Sequence, residues 1–223
     1  MPRKPRFAPP GYNLHITQRG NCGQRTFHTR QDYQRFLDLL AHYAPAHGVD
    51  ILAYCLMPNH FHLLAHGHRI DSISDLMRSL NGRYAQYIHG RLVRRGRFWQ
   101  NRFYCCLLDN AHLVAALRYV ELNPVRANLV TDAVEYAWST ASIHVGATAT
   151  PHWLQMSTFN ELFNHAEWVA KLAEGQLTFE QVTIRDSTQR EIPLGTPAFL
   201  HELETTFNRK LHTPQPVGRP RNP

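Results

Sequence analysis

At 223 residues and 43% hydrophobic content, the chain can bury one good core plus an extension and is too apolar for a disordered protein. Its formal net charge of +7, pI of about 9.5 and 15 histidines make a polyanion, nucleic acid first, the partner to consider. No apolar run reaches membrane-spanning length, and no apolar signal segment follows the basic start Met1 to Arg6. Cys22, Cys55, Cys105 and Cys106 lack zinc-site or disulfide-framework spacing, so the expectation is a cytoplasmic protein with reduced thiols.

In chain order, residues 1–10 are Pro- and Arg-rich and read as a flexible basic arm. Residues 12–19 alternate Leu14 and Ile16 against Asn13, His15 and Thr17, a strand pattern that ends at Gly20-Asn21-Cys22-Gly23. Thr29 with Asp32 three residues on resembles a capping box, and Phe36, Leu37, Leu39, Leu40 and Tyr43 give the helix that follows an apolar face. Val49 to Met57 reads as a buried strand, Pro58-Asn59 as a turn, and residues 59–66 as a strand antiparallel to it. A helix is expected over 71–89, from Ile73, Leu76, Met77, Leu80, Tyr84 and Ile88 at helical spacing. A basic loop, Arg91 to Arg102, then leads to a strand at Phe103 to Leu108. Asp109 or Asn110 caps a last helix, which halts at Asn123-Pro124. Strand, helix, strand, strand, helix, strand is the split pattern of an α+β, ferredoxin-like antiparallel sheet with helices on one face, the other face being left to a ligand. Residues 125–160 look irregular, and helices are expected near 160–173, 179–186 and 195–211, with a Pro-rich basic tail after them.

Two clusters carry chemistry. In a strand over 59–66, His60 and His62 share a face about 7 Å apart, while Phe61 and Leu63 point into a core. Two such imidazoles can hold a divalent metal if a further ligand arrives; alone, they read equally as a half-exposed strand that carries two His. Tyr119 and Asn123 are i, i+4 on the last helix, about 6 Å apart along one face. A tyrosine hydroxyl is a usable nucleophile once a metal polarises the group it attacks, and Asn123 can supply a neutral oxygen or a hydrogen bond beside it. Arg91, Arg94, Arg95, Arg97 and Arg102 form a run suited to phosphates, extended by Arg118 and Arg126. Phe98, Trp99 and Phe103 are interleaved for base stacking, at least one of them being core.

Met57-Pro58-Asn59-His60-Phe61-His62, the Gly96 to Arg102 segment and Tyr119-x-x-x-Asn123-Pro124-Val125-Arg126, in this order, resemble the single-tyrosine transposases of the His-hydrophobic-His nuclease superfamily, most closely the REP-associated tyrosine transposases. The similarity covers about residues 11–141. It implies that His60, His62 and Asn123 bind Mg²⁺ or Mn²⁺, and that Tyr119 attacks a DNA phosphodiester to form a 5′-phosphotyrosine and free a 3′-OH. It further implies single-stranded or hairpin DNA at repeat ends as substrate, a nucleoid-associated location, and either a monomer or a homodimer; the basic run then marks Arg91, Arg94, Arg95, Arg97, Trp99, Arg102, Arg118 and Arg126 as the expected DNA contacts. The expected division is an arm (1–10), a nuclease domain (11–155), a helical, candidate DNA-binding extension (156–211) and a tail (212–223). Two rivals stand beside this reading. One is a domesticated hairpin-DNA binder that does not cut. The other is a His-x-His metallohydrolase of small molecules, which needs an acidic third ligand such as Glu121.

Overall fold

The structure, a computed structural model, describes residues 6–93, 95–175 and 178–211. Strands β1 (Asn13–Arg19), β2 (Val49–Met57), β3 (His60–Gly67) and β4 (Tyr104–Leu108) form one antiparallel sheet in the order β2-β3-β1-β4. Helices α1 (Arg30–Ala46) and α2 (Ser72–Leu92) supply the crossovers, which gives the split β-α-β topology that the sequence pattern predicts. Asp32 starts α1 by accepting from the backbone N–H groups of His28 and Thr29.

The period-2 alternation of β1 and β3 decides which face each side chain meets. Leu14, Ile16, Phe61 and Leu63 are fully buried beneath α1 and α2, against Phe36, Leu40, Leu76 and Tyr84. Each such large side chain contributes about 1.5–3 kcal/mol by leaving water. The opposite face is partly covered too. A bulge in β2 turns both Leu52 and Ala53 toward it, where with Leu64, Cys106 and Leu108 they form an apolar band. Helix α3 (Asn110–Glu121) covers that band with Leu113, Ala116, Leu117 and Val120. The polar end of β3, His60 and His62, stays beside the helix, so the face that carries the His pair is a recess and not an open sheet.

Both sheet edges are blunted. Residues 138–140 run along β2 (Leu56 N to Trp138 O 2.9 Å, Thr140 N to Tyr54 O 3.1 Å), and Leu194 pairs with β4. Residues 125–160, expected to be irregular, hold the one-turn helices α4 (Asn123–Arg126) and α5 (Ala141–His144). The helix expected over 160–173 is two, α6 (Ser157–Leu162) and α7 (His165–Ala173). Asn164 interrupts it by capping the second, accepting from Glu167 N at 3.0 Å. Helices α8 (Thr178–Arg190) and α9 (Pro197–Thr206) complete the described chain. These helices wrap the sheet: Trp168 of α7 and Ile184 of α8 are buried on the α3 side, and Leu203 of α9 joins the α1/α2 core. At the other terminus Arg6 pairs with Glu191 and the Phe103 carbonyl, and Phe7 packs edge-on against Phe207 at 5.2 Å. Residues 6–10 of the expected flexible arm are therefore anchored. Residues 1–5, Arg94 and the tail 212–223 lie outside the described residues.

Candidate active site

Register builds the site. Thr17 lies opposite His62 and Arg19 opposite His60, so the odd positions of β1, His15 among them, share a face with the His pair. The His60 and His62 rings stand 4.9 Å apart, and the His15 ring lies nearly parallel to that of His62 with centroids 5.1 Å apart. Tyr119, on the face of α3 that meets the sheet, sets its ring edge-on 5.5 Å from both His15 and His62. These side chains, with Tyr104 and Arg185, line a recess of about 620 Å³ between the sheet and α8. A second recess of about 350 Å³, beside Leu122 and Leu172, lacks such a set of groups.

Hydrogen bonds fix how the imidazoles are presented. Asn59 donates its amide to the Gly23 carbonyl at 3.3 Å, so its oxygen is left to accept from His60 Nδ1 at 2.7 Å. That leaves Nε2 of His60 with the lone pair. His62 Nδ1 is 2.9 Å from His15 Nε2, and His15 Nδ1 is 2.7 Å from Thr188 Oγ1. His62 Nε2 is buried with no hydrogen-bond partner. Burial drives the imidazoles toward the neutral, metal-binding form. His60 is lowered to about 4, with Arg19 adding to the shift, His15 to about 3, and His62 well below its ordinary value. Tyr119 is 7% exposed, and burial raises its pKa; Arg126, Arg185 and the Asn123 amide pull it back. The Arg126 guanidinium lies 4.4 Å over the Tyr119 ring and donates to the Tyr119 carbonyl at 2.7 Å.

The other anticipated residues are scattered more widely. Asn123 sits one turn beyond Tyr119, as expected, with its amide nitrogen donating to the Tyr119 carbonyl at 3.1 Å. Arg91 is tied at 2.7 Å to the fully buried Asp32. Arg118 is largely buried, with Glu174 at 3.8 Å. Trp99 packs edge-on against Phe61 and donates its indole N–H to the Asn81 carbonyl at 2.9 Å. Phe98 and Phe103 are buried, so none of the three interleaved aromatics stands free on the surface. Arg95, Arg97 and Arg102 are exposed. His15, Arg19, Asn59, Arg185 and Thr188 were not anticipated. For His15 the signal was present: it alternates with Leu14 and Ile16 on the same polar stripe as Thr17.

The small-molecule metallohydrolase needs an acid at the His pair. Among the described residues no group of three or more His, Cys, Asp or Glu is disposed to hold an ion. Glu121 is fully buried and engaged elsewhere: it accepts from Thr140 Oγ1 at 2.6 Å, His144 Nδ1 at 2.5 Å and Trp168 Nε1 at 2.8 Å. The donor set still fits a divalent cation. Two imidazoles, His60 with its Nε2 lone pair free and His62 with a buried Nε2 that has no partner, would leave most of a coordination shell to oxygen ligands.

Residues 10–123 match the family model described as "Transposase IS200 like". A solved structure of a REP-associated tyrosine transposase bound to a REP hairpin superposes with a TM-score of 0.57 at 19% identity, over 70% of this chain and 92% of that one. A structure assigned to a transposase of Deinococcus radiodurans R1 superposes with a TM-score of 0.40 at 18% identity, over 54% of this chain and 96% of that one. No curated protein sequence matches.

Proposed function

The chain belongs to the IS200-like transposase family, and on that premise we propose that it cleaves and rejoins one strand of DNA through a phosphotyrosine on Tyr119. The observation that carries this reading is the meeting of the Tyr119 ring and the His62 ring at 5.5 Å in one recess.

In this reading the Tyr119 hydroxyl gives up its proton as its oxygen attacks the scissile phosphorus, the bond to the 3′ oxygen breaks, and that oxygen takes up a proton, so none is gained or lost overall. One phosphoester replaces another, so the step is reversible and rejoining needs no nucleotide cofactor. The His60 and His62 Nε2 atoms would hold the Mg²⁺ or Mn²⁺, which when bound neutralises charge on the phosphate. Asn123 can add a third, oxygen ligand once its amide turns from the Tyr119 carbonyl. Arg126 steadies the Tyr119 ring and favours its anionic form. Arg19 and Arg185, which line the recess, would receive the flanking phosphates, and the exposed Arg95, Arg97 and Arg102 the rest of the strand. Hairpin DNA is the substrate class, supported by the REP hairpin held by the 19%-identical neighbour.

The test is incubation with a hairpin-bearing oligonucleotide and Mn²⁺, followed by denaturing electrophoresis. The reading expects a denaturation-resistant adduct from the wild type and none from Tyr119→Phe. An adduct of equal yield in the variant defeats it.

A further inference from the structure

The family match ends at residue 123, yet a residue far beyond it touches the imidazole cluster. Thr188, on α8, is 1% exposed. Its hydroxyl has one proton, and the carbonyl of Ile184 lies 2.7 Å away. A carbonyl only accepts, so the proton goes there; the thiol of Cys106, at 3.5 Å, is the weaker neighbour. Thr188 Oγ1 therefore accepts from His15 Nδ1, which must carry a hydrogen. His15 is itself 1% exposed and its two ring nitrogens meet only Thr188 and His62 among the described residues, with no carboxylate to hold a charged ring, so it has no second ring proton to offer. Its Nε2 is then a lone pair, and the hydrogen on the 2.9 Å contact comes from His62 Nδ1. The last lone pair in the series falls on His62 Nε2, the buried atom without a partner.

We infer that Thr188, acting through His15, sets the tautomer and ring orientation of His62 so that its Nε2 is held ready for a metal. Helix α8 is then a positioning element of the site, and Thr188 and His15 are positioning residues. The direction of every hydrogen in the series is set at one end, by a backbone carbonyl that cannot donate. This is the arrangement by which outer partners fix ligand imidazoles in metal sites generally, with a neutral histidine and a hydroxyl in place of the usual carboxylate. The inference rests on the metal reading proposed above.

Long-range proton–nitrogen NMR of the metal-free, full-length protein reads the tautomers directly. The expected result is hydrogen on Nδ1 of both His15 and His62. Thr188→Val keeps the shape and removes the acceptor. It should move His62 toward the Nε2–H form and weaken Mn²⁺ binding by about 10- to 100-fold. Thr188→Ser, which keeps the hydroxyl, should restore both readouts, and matching circular dichroism would establish that the variants fold. Hydrogen on Nε2 of His62 in the wild type, or a Thr188→Val protein with unchanged tautomers or unchanged Mn²⁺ affinity, overturns the inference. A wild type with the expected tautomers that binds no Mn²⁺ upholds the hydrogen-bond series and refutes the metal reading instead.

Discussion

Glu121→Gln is a sharp probe of how the helix that bears Tyr119 is anchored. The two Glu121 oxygens accept three buried hydrogen bonds, from Thr140, His144 and Trp168. Thr140 and His144 bracket α5 and Trp168 lies on α7, so the carboxyl group ties α3 to residues 140–144 and to α7. A glutamine at this site keeps one acceptor oxygen. Facing it toward Thr140 and His144 aims the new NH₂ at the Trp168 indole N–H, donor against donor. The orphaned indole costs about 1–3 kcal/mol and the amide's own unpaired hydrogens a similar amount, for a total of about 2–6 kcal/mol. That is a large part of the 5–15 kcal/mol by which a domain is typically stable, roughly, and the flexibility it releases lies next to Tyr119. Urea unfolding followed by tryptophan fluorescence reads it, with an expected fall in midpoint of about 1–2 M if m is about 2–3 kcal/mol per M. Trp168→Phe removes the competing donor, so in the Glu121→Gln background it should cost at least about 1 kcal/mol less than it does alone. A Glu121→Gln midpoint within about 0.2 M of wild type, or strictly additive variants, would show that the cluster does not anchor α3 in this way.

Acid should unfold the protein in a defined direction. Free imidazoles take up a proton near 6.5, whereas His15 and His60 in the fold do so near about 3 and about 4. The unfolded chain thus binds more protons, and stability should fall as pH drops from about 6.5 toward 4. Stability that is flat over that window in urea titrations would contradict the burial of these rings. The arginines should divide into two classes. Arg91→Ala should destabilise the protein by about 1–3 kcal/mol, because buried Asp32 loses its cation and keeps the His28, Thr29 and Tyr87 donors, and leave the salt dependence of DNA binding alone. Arg95→Ala and Arg97→Ala should each flatten the log Kd against log salt slope by about 0.7–0.9 without loss of stability. The reverse pattern would return Arg91 to the DNA and remove the other two.

What was legible in the sequence follows periodicity, and what was not follows contacts made far along the chain. His60-Phe61-His62 announces its two faces because strand alternation is local, and the crossover order of helices and strands gives the sheet topology with it. Tyr119 and Asn123 share a helix face by spacing alone. The partnership of Arg91 with Asp32, 59 residues away, was invisible, and in a run of arginines it read as one more phosphate contact. Trp99 was likewise claimed by Asn81 and Phe61, which a basic loop gives no means of foreseeing. The contribution of α8 was the hardest to see. Its sequence is polar with few apolar residues, so nothing marks Ile184 and Thr188 as the face that lands on the sheet.

One measurement bears most directly on the catalytic assignment. Trypsin cuts after Arg118 and Arg126, so Tyr119 leaves in the octapeptide Tyr119–Arg126, which holds no other tyrosine. Mass spectrometry of the protein–DNA adduct after nuclease trimming should find that octapeptide heavier by one 5′-phosphonucleotide, the modification sitting on Tyr119. A nucleotide mapped to any other peptide, or an unmodified Tyr119–Arg126 peptide from DNA-bound protein that has cut its substrate, would contradict the account.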